Sequence, residues 1–299
     1  MARHDTVILE EPPDPRLEAM LSGEMDIPAY LEPLDLEYPE FSRLMAEGLR
    51  KLHGAGRRIL QIEPFLSHLI AIHEGFAGGG RPADLEAGTD RHRVYESERD
   101  ATAALLAFYE ASVRGGFDET VGAVQRFARA DARRFELRDR MRADALAAAI
   151  AAPGRYCIEA GQMHYPLWRQ LEARLPPSVH LRPRFLMAGV LREMGIRGRL
   201  FGPGDLLTLR YRFHPGRSGP EEDLLAARAL VFNKLVAKEE IVDAAAPHPH
   251  LRDEAETDAV VRRLSLSDCA RLFPRIRRAP TEAARREVAR YLATRNPSA

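Results

Sequence analysis

Cysteine is scarce: Cys157 and Cys269 are the two in a chain of 299 residues. One pair makes no disulfide framework, and there is no C-x-x-C, so a reducing cytoplasm is the expected compartment. Long hydrophobic runs are missing too. No stretch approaches the roughly 20 apolar residues that span a bilayer. The N-terminal MARHDTVILEEPPDPRLE is interrupted by acids and prolines too early to be a signal peptide. Charge of one sign is not in excess: 44 Lys+Arg balance 44 Asp+Glu. Neither nucleic acid nor a membrane is therefore expected as a partner. Aromatics are few, 7% against 45% hydrophobic residues, which describes a globule with an aliphatic core.

Several common chemistries are absent as motifs. No G-x-G-x-x-G follows a strand, and Gly78-Gly79-Gly80 lies in a polar stretch. There is no G-x-x-x-x-G-K-[ST] phosphate loop and no G-x-S-x-G nucleophile elbow. His68 and His73 are five apart, so they do not make the i,i+4 pair of a zincin helix.

What the chain does carry is an α/β pattern. Thr6–Glu10, Arg58–Glu63 and Arg155–Ala160 are short apolar runs, each followed by helical sequence, as expected of a mainly parallel sheet with flanking helices. A fourth run, Arg184–Ala188, is expected to join the same sheet. Helices are expected over Tyr95–Val113, with Ala101, Ala104, Leu105, Phe108 and Tyr109 on the apolar face, and from Asp118 to about Ile150. In the second of these the dense charges of ARADARRFELRDRMRADAL suit a solvated face. Phe76–Arg93 suits an exposed loop. After Gly202-Pro203-Gly204, the alternation of Leu207, Leu209, Tyr211 and Phe213 with polar residues predicts a half-buried strand. Helices are then expected over 221–240, 253–264, 267–273 and 281–292. The division that follows is a core over 1–190 and a mostly helical extension over 191–299.

Polar residues gather at the carboxyl ends of the predicted strands, where open α/β sheets place ligands. The first strand delivers Glu10 and Glu11, the second Glu63, and the third runs into Glu159-Ala-Gly161-Gln-Met-His164. Acids and an imidazole on one rim suit a divalent metal, with Glu10 and His164 as ligands, or a general base acting on water. Glu63, Glu159 and Gly161 are candidate cofactor-binding positions on the same strand-end logic, Gly161 through a sharp turn. Taken singly, each has a structural alternative, such as Glu63 capping the helix that starts at Pro64. Pro247-His248-Pro249-His250 reads as a stiffened loop before a helix capped by Asp253. Arg197, Arg199, Arg210 and Arg212 around Tyr211 are too few for a nucleic-acid face. Trp168 is placed either to wall the site or to pack its helix.

Arg138-Asp139-Arg140-Met141, Ala145–Ile150 and Tyr156-Cys-Ile-Glu-Ala-Gly161-Gln-Met-His164, preceded far upstream by Val7-Ile-Leu-Glu10, resemble the TraB/ChaN/Tiki/erythromycin-esterase superfamily over roughly the first 190 residues. The resemblance implies an α/β core with a polar pocket and metal-dependent or water-activating hydrolysis of a small-molecule or peptide substrate. It carries over Glu10, Arg138 and His164 as catalytic. Helical spacing puts Arg138 on the side of Arg134, Met141 and Ala145, so it is expected to face the pocket while Arg140 and Arg142 face solvent. ChaN-like members imply instead haem or iron binding through His164. The family's earlier G-x-x-H, upstream of the V-I-L-E strand, is missing here. Two expectations follow: a reading frame that extends upstream, or a half-site that serves binding or scaffolding rather than catalysis. A lone first strand would also leave an unpaired sheet edge. Oligomeric state stays open.

Overall fold

A computed structural model describes residues 1, 3–150, 153–242 and 245–295. The described elements run β1 (Thr6–Leu9), α1 (Leu17–Ser22), α2 (Ile27–Leu31), α3 (Pro39–Gly54), β2 (Arg58–Gln61), α4 (Pro64–Ala77), α5 (Asp90–Arg114), α6 (Phe117–Ala149), β3 (Tyr156–Ile158), α7 (Leu167–Glu172) and α8 (Ala188–Glu193). Five more helices complete the order: α9 (Pro203–Phe213), α10 (Pro220–Leu235), α11 (Pro249–Arg262), α12 (Leu266–Ile276) and α13 (Thr281–Arg295). Short 3-10 turns sit at Pro82–Asp84 and Gln162–His164. The expected α/β class with a helical C-terminal region is what the chain adopts.

The sheet has the order β2-β1-β3, all parallel, with Val7 beside both Ile59 and Cys157 and Ile8 beside Leu60 and Ile158. Parallel neighbours require crossovers, and helices α1–α3 and α4–α6 supply them. Because side chains alternate across a strand, Val7 and Leu9 enter one apolar cluster with Met20, Tyr30 and Leu49, while Ile8 enters another with Ala143, Leu146 and Leu167. Every residue of β1 is buried. The open edge expected beside the first strand is absent, since β1 is central and paired on both sides.

The chain divides into two units, each discontinuous. One comprises Met1–Ser97 and Phe135–Phe185; the other comprises Glu98–Arg134 and Leu186–Ala299. The expected division into 1–190 and 191–299 is a simpler one than these discontinuous units, since Glu98–Arg134 groups with Leu186–Ala299. That unit has its own core, in which Val121, Val124 and Ala128 pack with Leu207, Tyr211, Leu230, Leu272 and Val288.

Two predicted strands are not strands. Residues 184–187 have no regular structure and lead into α8, with Leu186 85% exposed. Residues 203–213 form α9, because Gly202 precedes a proline at its first turn and Leu207, Thr208 and Tyr211 are buried at helical spacing. The alternation in the sequence coincides with that spacing only at Leu207 and Tyr211. Tyr109 is exposed rather than packed on the apolar face of α5. Part of Phe76–Arg93 is helical at both ends and in one 3-10 turn. The helix after the Pro-His repeat starts at Pro249, and Asp253 does not cap it: its carboxylate accepts from the Ala237 N–H and pairs with Arg285.

Candidate active site

The strand ends and helix α6 assemble one cluster of charge within the sheet-bearing unit. Glu10 directly follows β1. Glu63 stands two residues beyond β2 at the N-cap of α4, where Pro64 fixes the first turn. Its side chain caps nothing. Glu159 follows β3, and the 3-10 turn Gln162–His164, closed by the His164 backbone N–H donating to the Gly161 carbonyl at 2.9 Å, aims the imidazole back. Helix α6 contributes Arg138, Asp139 and Arg142, one helical turn of residues on the side that faces these ends.

His164 is held between two carboxylates. Its Nδ1 lies 2.5 Å from Asp139 Oδ1 and its Nε2 lies 2.6 Å from Glu10 Oε1. The ring of Phe135 meets it edge-on at 5.1 Å. Glu10 also accepts from Arg138 Nη2 at 3.2 Å and, on its other oxygen, from the Gly161 N–H at 2.5 Å. Arg142 Nη1 is 3.4 Å from that second oxygen. The two guanidiniums also flank Glu63, at 3.3 Å from Arg138 and 3.6 Å from Arg142. Arg142 further donates to the carbonyls of Ile62 at 3.0 Å and Glu159 at 2.7 Å, tying the ends of β2 and β3 to α6. Glu63, Asp139, Arg142 and His164 are buried, while the side chains of Glu10 and Arg138 keep 14% and 21% of their surface open. Those two, with the half-buried Glu159, are where solvent meets the cluster.

The geometry sets the protonation states. Burial alone would raise the Glu10 carboxyl, but the hydrogen bond and charge of His164, with Arg142 and the Gly161 N–H, hold it down at about 2. Asp139 moves the other way: desolvation dominates and the contact with His164 only partly offsets it. For His164, burial disfavours the charged ring, yet the bonds to Asp139 and Glu10 outweigh it and raise the pKa. The His164 ring and its two carboxylates therefore titrate as a unit. Glu159 is raised, first by burial and then by the neighbouring Glu11 and Glu10, against the lowering effect of the Glu10 N–H.

An uncharacterized protein of Archaeoglobus fulgidus is 31% identical over 279 residues, which span 92% of this chain and 91% of the archaeal one. The chain belongs to that protein's family. No family model matches the chain, and no solved structure matches it.

The sequence-predicted residues Glu10, Glu63, Arg138, Glu159, Gly161 and His164 all meet here. Glu63 and His164 are sealed inside a packed cluster and do not line an open concavity. Gly161 has an extended backbone, φ −60° and ψ 153°, which any residue adopts, so it makes no sharp turn. Arg142, expected in solvent with Arg140, is the most enclosed cation of the cluster, fully buried, whereas Arg140 is exposed. Asp139, next to Arg138 in the R-D-x-M segment, is the imidazole's second partner. The available signal for both was their spacing on the helix face already occupied by Arg138.

The residues do not fit the divalent metal that the resemblance implies. Both ring nitrogens of His164 are taken by carboxylates, and two guanidiniums already neutralise Glu10 and Glu63. Among the described residues no group of three His, Cys, Asp or Glu side chains is disposed to hold a metal ion. A haem or iron bound through His164 would likewise have to break one of its two short hydrogen bonds. Among the described residues, no helix is long and apolar enough to cross a membrane.

Proposed function

We propose that the protein is a TraB/ChaN-like hydrolase in which side chains, led by Glu10, activate the attacking water. The observation that carries this reading is the state of Glu10. It is a carboxylate at the solvent edge, held ionised by the His164 ring, two guanidiniums and a backbone N–H, beside the partly open side chain of Arg138. Burying this many charges is costly for stability alone, and such arrangements concentrate at functional sites. In this reading Glu10 accepts a hydrogen bond from water and takes its proton as the new bond forms. Asp139 fixes the ring of His164, and His164 fixes Glu10. Arg138, partly open to solvent, faces the negative charge that develops on the substrate.

The test is hydrolysis of paired 4-nitrophenyl and methyl compounds (carboxylic esters, phosphate esters and glycosides) by the full chain, with and without EDTA. Turnover that survives EDTA and falls at least about 100-fold in Glu10→Gln is expected. Turnover unchanged in Glu10→Gln, or abolished by EDTA and restored by a metal ion, overturns the reading. A second reading has a specific observation behind it: the buried charges of the cluster engage one another. This is how a non-catalytic binding or scaffolding protein would retain the fold. It predicts no turnover of any pair, with Glu10→Gln changing stability only.

A further inference from the structure

Glu159 plays no part in the steps above, yet it is built into the same edge. Its N–H bonds to the Ile8 carbonyl at 2.8 Å, continuing the β1–β3 ladder, and its own carbonyl receives Arg142 at 2.7 Å. The backbone is thereby fixed on both sides. Its carboxyl lies across from Glu10, with Oε2 3.4 Å from the Glu10 N–H. The side chain is half-buried, open enough to meet a bound molecule. Two carboxyls thus stand at the ends of adjacent parallel strands and share one stretch of backbone, while every cation of the cluster is committed first to Glu10 and Glu63.

We propose that Glu159 is the proton donor of this site, acting on the leaving group while Glu10 acts on water. The proposal rests on the hydrolase reading and adds its substrate class: bonds to alcohols or amines, leaving groups that must be protonated to depart. The step balances. Water forms its new bond to the substrate and gives one proton to Glu10. The bond to the leaving group breaks, its electron pair stays on the departing oxygen or nitrogen, and that atom takes the proton of Glu159. Exchange with solvent then returns a proton to Glu159 and removes one from Glu10, so the net change is addition of one water across the broken bond.

The charged surroundings support the two roles. The titratable groups facing Glu159 are Glu10 and Glu11 after β1, Arg142 on α6, and the neutral thiol of Cys157 on its own strand. Burial and the two glutamates favour its neutral form, and Arg142 only partly opposes them. Glu10, in contrast, is held at about 2. Neighbouring carboxyls pushed in opposite directions make an acid and a base of one residue type.

The leaving group decides the matter. Departure of 4-nitrophenolate needs no proton, whereas departure of methoxide does. Glu159→Gln keeps an acceptor for the Glu10 N–H and is expected to leave the secondary structure unchanged by circular dichroism. It should slow the methyl compound of the active pair at least about 100-fold and the 4-nitrophenyl compound only a few-fold. The fall of the methyl rate with rising pH, expected of the unaltered protein as Glu159 ionises, should disappear. Equal slowing of both compounds, or of neither, overturns the donor role while Glu10→Gln still tests the hydrolase reading separately. Failure of the unaltered protein to turn over any pair overturns both.

Discussion

At the scale of the residue, Arg142 is the clearest example of a charge that cannot be removed alone. Its guanidinium is fully buried between Glu10, Glu63 and two carbonyls. Arg142→Ala would leave Glu63 sealed from water with one cation fewer, and truncating one partner of a buried pair costs about 3–5 kcal/mol. A large drop in the urea midpoint is expected. Arg142→Met combined with Glu63→Leu should recover most of it, since apolar replacement of both partners avoids the orphaned charge. A double variant as unstable as the single one would show that the carbonyl contacts of Arg142, and not the ion pairs, dominate. Gly161 is the opposite case. A Cβ there meets Glu10 Oε2 and His164 Cδ2 no closer than 3.6 Å, so Gly161→Ala should melt within about 0.5 kcal/mol of the parent.

The same cluster sets a dependence on pH whose signs can be worked out. His164 has a raised pKa in the folded chain, so its stabilisation is complete below the ordinary value of 6.5 and is lost as the pH rises through the raised value. Glu10 is lowered from 4.5 to about 2, so its stabilisation is complete above 4.5 and is lost as the pH falls toward 2. Asp139, raised by burial, works against the fold as it ionises. Melting temperature followed across pH should therefore fall at both ends. Glu10→Gln should flatten the acid limb between 4.5 and 2, and His164→Gln should flatten the alkaline one. An acid limb unchanged in Glu10→Gln would assign it to other carboxylates.

At the scale of the element, capping shows where local sequence suffices. Ser265 and Asp268 form a reciprocal box at the start of α12: the serine Oγ accepts from the Asp268 N–H, and the aspartate accepts from the Ser265 N–H at 2.8 Å. Asp268 also receives Tyr291 at 2.7 Å and pairs with Arg295, both on α13. Asp268→Ala removes a cap and a tie between two helices. A loss of about 1–2 kcal/mol is expected, against about 1 kcal/mol for Ser265→Ala. Equal losses would mean that the link to α13 contributes nothing.

Such local signals also explain which parts of the fold and site could be read in advance. β1, β2 and β3 are short apolar runs bounded by acids, prolines or glycines, and a buried parallel strand leaves that trace. Helix α9 was obscured because L-T-L-R-Y-R-F satisfies two periods at once; Pro203 and Asp205 in its first turn were the better guide. Residues 184–188 have strand composition, yet 184–187 stay irregular and Ala188 opens α8, an outcome decided by tertiary packing rather than by local pattern. Glu10, Glu63 and His164 were legible because strand ends are where sheets place chemistry. Arg142 was not, since its burial depends on carbonyls at Ile62 and Glu159, 80 and 17 residues away in sequence.

At the scale of the molecule, the chain carries two kinds of core. The sheet-bearing unit is built from three modest apolar clusters around β1 and α6, with the ion-pair cluster at one end of the sheet. The other unit is helical, with a single larger cluster that includes the fully buried Leu272 and Val261. Truncating a buried leucine to alanine costs about 2–5 kcal/mol through lost transfer energy and the cavity left behind. Leu272→Ala and Leu146→Ala spend that cost in different cores, because Leu146 packs with Ile8, Ala143 and Leu171. Hydrogen exchange should separate them, since local opening follows cooperative units. Leu272→Ala is expected to speed exchange in α10, α12 and α13 while the amides of β1 and β3 keep their protection. Leu146→Ala should do the reverse. If either substitution accelerated exchange equally throughout the chain, the two cores would open as one cooperative unit, and the charge cluster would draw its stability from the whole molecule.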